Sequence, residues 1–81
     1  MNSTSADFLR IDVDTALTFT QIALESDDQE KKDRNRKNAR KAYNTIMHLR
    51  DKVEFSPSQD KYLSEKTELL KRDLIALGEK F

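Results

Sequence analysis

Only two of the 81 residues, Pro57 and Gly78, have backbones specialised for turns. A chain so poor in both cannot reverse direction often, so its elements must be few and long. Long elements need a repeating apolar face, and its period decides their type. Leu63, Leu70 and Leu77 recur every seven residues, flanked by Thr67 and Leu74 on one side and Tyr62 and Leu69 on the other. That is the seam of a helix in a bundle. No alternating β-branched run and no Asn-Gly-type turn argues for strands. The expected fold class is all-α: an antiparallel three-helix bundle with helices over about 8–25, 27–53 and 57–77. It forms one domain over 1–81, with 1–6 disordered.

In the first helix Leu9, Val13, Ala16, Thr20, Ala23 and Leu24 share a broad face, with Leu17 and Phe19 at its margins and Ser5 or Asp7 as the cap. Phe8, Ile11 and Ile22 fall outside that arc. In the second, Ala39, Ala42, Tyr43, Ile46, Leu49 and Val53 follow the three-and-four spacing, and the alanines allow close approach of helix axes. Ser26-Asp27-Asp28-Gln29 reads as a capping box with Ser26 at the N-cap. Residues 29–38 contain no apolar side chain, which predicts a solvated overhang or a frayed loop. The third helix has the sharpest limits: a Ser56-Pro57-Ser58-Gln59 capping box with Pro at the first helical position, and Gly78 at the left-handed position past the end. Lys66 and Asp73 are expected at the seam's edge, stems packed and heads in water.

Charged residues make up 37% of the chain and apolar ones 36%. The apolar ones are periodic, which argues for a fold rather than disorder. With no cysteine there is no disulfide, no thiolate metal site and no cysteine nucleophile, which suits a reducing cytoplasm. MNSTSADFLR lacks a basic segment leading into an apolar run, so no signal peptide is expected. No stretch is long and apolar enough to span a membrane.

Net charge is zero but segregated. Residues 1–29 carry one Arg against six acids, 30–52 nine cations against three acids, and 53–81 five cations against six acids. The basic run Lys31–Lys41 places seven cations in eleven residues. Arg34, Lys37, Lys41 and His48 form a ridge away from the apolar stripe, able to contact phosphates of a nucleic acid. Two features oppose that use: no aromatic residues are interleaved for base stacking, and the sequence pI is about 6.6. A solvated face, or one balanced internally by the acidic first helix, is the plainer account.

The segment Asn38-Ala39-Arg40-Lys41-Ala42-Tyr43-Asn44-Thr45-Ile46 resembles a helix of a tetratricopeptide-type helical hairpin or of a three-helix MIT-like adaptor domain. Both set small residues beside an aromatic at a close helix crossing. With Leu74-Ile75-Ala76-Leu77-Gly78-Glu79, the pattern is also similar to short, uncharacterised bacterial three-helix proteins. The resemblance implies an interaction module and carries over no binding residue. The Trp-Leu-Gly-Tyr core and 34-residue period of tetratricopeptide repeats are absent, as is a helix-ending Pro after Leu49.

Catalysis has little to build on. His48 is the single histidine: it lies opposite the apolar stripe, no Ser or Cys stands with it in a nucleophile context, and a lone imidazole cannot make a metal site. Neither Glu-x-x-His nor His-Glu-x-x-His occurs. Asp12 and Asp14, two residues apart on a helix, point in different directions. A single glycine excludes a glycine-rich phosphate loop. The chain is therefore expected to be non-enzymatic and to hold no cofactor. The leading expectation is a cytoplasmic protein-contact module, with another protein or a second copy as partner, using Phe8, Ile11, Ile22 and Ile75. A nucleic-acid accessory role through Arg34, Lys37, Lys41 and His48 is the alternative.

Overall fold

The first helix, α1, runs Ser3–Glu25 in the computed structural model, which describes residues 3–81. It is followed by α2 (Gln29–Leu49), a 3-10 turn (Arg50–Lys52) and α3 (Pro57–Ala76). No strand occurs among the described residues. Pairing of Asp14 with Tyr62 and of Thr20 with Asp73 shows that α1 and α3 run parallel, with α2 antiparallel to both. This is the expected three-helix bundle, drawn out to 43 × 20 × 18 Å. Helix α1 packs along both neighbours, whereas the α2–α3 contact is the thinnest of the three.

The apolar stripes close as their spacing requires. Leu9, Val13 and Ala16 of α1, Ala39 and Ile46 of α2, and Leu63, Leu70 and Leu74 of α3 form one buried cluster. Leu17, Phe19, Ala42, Tyr43, Val53, Phe55 and Tyr62 pack on its margin. Two stripe members depart from expectation. Leu24 is 40% exposed, because it stands in the last turn of α1, and Leu49 is exposed at the end of α2.

Helix boundaries shift where the sequence offers competing caps. Helix α1 begins at Ser3 rather than near Phe8, so Ser5 and Asp7 lie inside it and neither caps its start. Residues 3–6, expected to be disordered, belong to this helix, and Ala6 is buried; residues 1 and 2 lie outside the described ones. Asp28, not Ser26, is the N-cap of α2, its carboxylate accepting from the Glu30 N–H at 3.0 Å. Ser26 instead accepts from the Asp28 N–H at 3.1 Å, and the Gln29 side chain donates to Asp33 at 2.9 Å. No capping box forms there.

The apolar-free stretch 29–38 is helical, neither frayed nor a loop. Asn35 is buried and continues the line of Ala39 and Ile46 at helical spacing. Its amide donates to the Lys31 carbonyl at 2.9 Å, so a polar side chain closes the seam without an orphaned donor. At the far end α2 tightens into the 3-10 turn, and Val53 is extended. The Ser56–Gln59 capping box of α3 is complete, with Pro57 in its first turn.

Candidate interaction surfaces

The four apolar contact candidates do not share one face. Phe8 and Ile11 stand one turn apart near the start of α1, 61% and 58% exposed. Ile22 follows them on that side of α1 but is half-buried. Ile75 is 53% exposed in the last turn of α3. Because α1 and α3 are parallel, Ile75 belongs to the opposite end of the bundle from Phe8 and Ile11.

The basic candidates do share a face. Arg34, Lys37, Lys41 and His48 are all exposed along the outer side of α2. None of the four enters an ion pair among the described residues. His48 Nε2 lies 3.4 Å from the Lys52 ammonium, one helical turn on. The acids of α1 pair with none of this run among the described residues. The cations of this segment that form ion pairs are Arg36 and Arg40, on the other flank of α2, and Arg50, in the 3-10 turn that follows it. Arg50 reaches α3, donating to Ser64 at 2.9 Å and lying 3.7 Å from Asp60.

Arg36 and Arg40 grip the segment that follows α3, to which no sequence signal gave a role. There Gly78 takes a φ of +103°. Its N–H donates to the Ile75 carbonyl at 3.0 Å and the Glu79 N–H to the Leu74 carbonyl at 2.9 Å, the two bonds of a Schellman end. The turn sends Glu79 back to α2, where its carboxylate meets Arg36 at 2.6 Å and Arg40 at 3.4 Å. Arg40 also donates to the Lys80 carbonyl at 2.8 Å. The Phe81 ring stands edge-on to Tyr43, 5.0 Å between centroids. The Arg40 guanidinium lies 3.8 Å from that ring's centroid and the Lys71 ammonium 5.4 Å. The readable signal is Gly78 with an acid and an aromatic just beyond it; the arginines they meet lie some forty residues earlier.

A cleft of about 250 Å³ opens between the starts of α1 and α3. Ala6, Leu63 and Phe55 supply its apolar wall, and Asp7, Arg10, Gln59 and Tyr62 its rim. Asp60, at the position that would staple Phe55 to α3, is exposed and apart from these walls, so Phe55 packs on the core margin alone. Arg10 lies 4.6 Å over the Tyr62 ring and Lys66 5.4 Å from it. The Tyr62 hydroxyl donates to Asp14 at 2.7 Å. That bond, with some desolvation and the proximity of the carboxylate, raises the phenol pKa above its ordinary value. Among the described residues, no three His, Cys, Asp or Glu side chains are grouped to hold a metal ion. None of the helices is long and apolar enough to cross a membrane. Comparison with known protein families, curated proteins and solved structures finds no match to the chain.

Proposed function

We propose that the chain is a non-enzymatic helical module that contacts another protein, or a second copy of itself, through the outer face of α1 around Phe8 and Ile11. The observation that carries this reading is that two large apolar side chains lie one turn apart, each more than half exposed, on a helix whose opposite face is closed. Fully covering such a side chain yields about 1.5–3 kcal/mol, so a partner seated there gains several kcal/mol before the cost of association. The likeness of Asn38–Ile46 to helical-hairpin repeats and MIT-like adaptor domains supports the same class. A cysteine-free chain suits a reducing compartment, and a cytoplasmic location belongs to the same proposal. The test is Phe8→Asp with Ile11→Asp, followed by light scattering and affinity capture. Association is lost while the helical circular dichroism persists. A monomeric wild-type chain whose captured partners are unchanged by the substitutions overturns the reading.

A second reading rests on a different observation, the cationic face of Arg34, Lys37 and Lys41, which is exposed and unpaired among the described residues. Contacts to nucleic-acid phosphates through it would be sequence-independent and salt-sensitive. Lys37→Glu with Lys41→Glu abolishes a low-salt gel shift on this reading. A wild-type chain that gives no shift in low salt removes it.

A further inference from the structure

We propose that the groove formed by Arg36, Arg40, Tyr43 and Lys71 is a recognition site for an acid–any–aromatic segment of a partner protein, held in cis by Glu79–Phe81. The chemistry is set position by position. The acid is met by two guanidinium groups, at 2.6 and 3.4 Å, and charge-assisted bonds of this kind are the strong ones. At the middle position only the main-chain carbonyl is used, by Arg40 at 2.8 Å, while the Lys80 side chain is exposed. Any residue fits there. The third position takes a ring: Tyr43 meets it edge-on, and the cations of Arg40 and Lys71 lie within reach of its π system. An aliphatic side chain would keep the contact area and lose both attractions.

The segment can leave without opening the bundle. Phe81 is half exposed and stands outside the buried cluster, whereas Tyr43 packs against that cluster and stays in place. Beyond Gly78, the Glu79 N–H stays with the Leu74 carbonyl as part of the end of α3, and the other contacts described above run from the segment to side chains of α2 and α3. Tethering through Gly78 holds the segment near the groove at an effective concentration on the order of millimolar, so it occupies the groove when no competitor is present. A partner segment must exceed that concentration or present the same groups with better geometry. This site is separate from the Phe8–Ile11 face, and neither depends on the other.

The experiment uses the full chain and a fluorescein-labelled peptide of sequence ALGEKF, read by anisotropy. The variant Glu79→Ala with Phe81→Ala empties the groove. It is expected to bind the peptide roughly tenfold more tightly than wild type, which must first release its own segment. Adding Arg36→Glu abolishes that binding, and peptides with Gln for the acid or Leu for the aromatic bind several-fold more weakly. No anisotropy change up to millimolar variant, with helical circular dichroism intact, overturns the proposal. So does binding that ignores Arg36→Glu. If the double variant loses its helical signal, Phe81→Ala alone carries the same titration, and either of those two results overturns the proposal there as well.

Discussion

Thr20 of α1 donates its hydroxyl to the Asp73 carboxylate of α3 at 2.9 Å, and Thr20 is fully buried. The hydroxyl also lies 2.9 Å from the Leu17 carbonyl, but it has one proton and the carboxylate is the stronger acceptor. Asp73 is therefore tied to α1, not turned wholly to water as its place at the seam's edge suggests, while Lys66 lies beside the Tyr62 ring. A slip of α3 along α1 by one turn would strand both groups, so the pair fixes the register of the two parallel helices.

Thr20→Val keeps the volume and removes the donor. A loss of about 1–2 kcal/mol is expected, because a half-buried carboxylate then lacks its partner. Urea unfolding measures it. Asp73→Asn in the Thr20→Val background adds less than it does alone, as coupled sites do. Strictly additive losses would show that the two side chains act independently.

Gly78→Ala tests the turn that returns the chain to α2. A Cβ there meets nothing within 4 Å, so the cost lies in the backbone, at a φ of +103° that L-residues rarely adopt. The expected loss is about 1 kcal/mol, with Asn milder than Ala. Amide exchange at Glu79 quickens more than exchange within α3. Unchanged exchange at Glu79 would mean that the tail holds without its turn.

Ala39→Leu tests the close approach of α2 to the core. Ala39 is fully buried in the same central cluster as Ala16, so a larger side chain must displace core neighbours. Overpacking costs about 1–3 kcal/mol, visible as a lower thermal midpoint. A midpoint equal to wild type would indicate slack between α1 and α2.

Tyr62→Phe removes the hydroxyl bonded to Asp14. At neutral pH the loss is about 0.5–1 kcal/mol or less, since the bond is solvent-facing. The raised phenol pKa means that the fold favours the neutral form, so this contribution is complete below the ordinary tyrosine value and is lost as pH climbs above about 10. The gap between wild-type and variant urea midpoints should therefore narrow in alkali. A constant gap across that range contradicts the assigned bond.

The bundle is legible in the sequence because its signals are local and chemical. The Leu63–Leu70–Leu77 period sets the α3 seam, and Ser56-Pro57-Ser58-Gln59 marks its start to the residue. Ambiguity arises where two residues could do one job: Ser26 and Asp28 both suit an N-cap, and only the path of the chain selects Asp28. Asn35 is invisible to a seam defined by apolar groups, yet a buried amide serves once its donor reaches the Lys31 carbonyl. The Arg36–Glu79 clasp joins residues 43 apart and follows from the reversal at Gly78, which no periodicity encodes. Exposure of Phe8 and Ile11 follows from the helical wheel, but separation of Ile75 from them depends on which helices run parallel.

Helix α1 is the spine of this molecule, and α2 and α3 are two covers that meet each other only lightly along their free edge. The segment Glu79–Phe81 bridges that edge as a latch. Releasing the latch leaves both covers still bound to the spine, so breathing should begin at the α2–α3 edge and leave the α1 seams closed. Protection against hydrogen exchange should accordingly be deepest in the middle of α1.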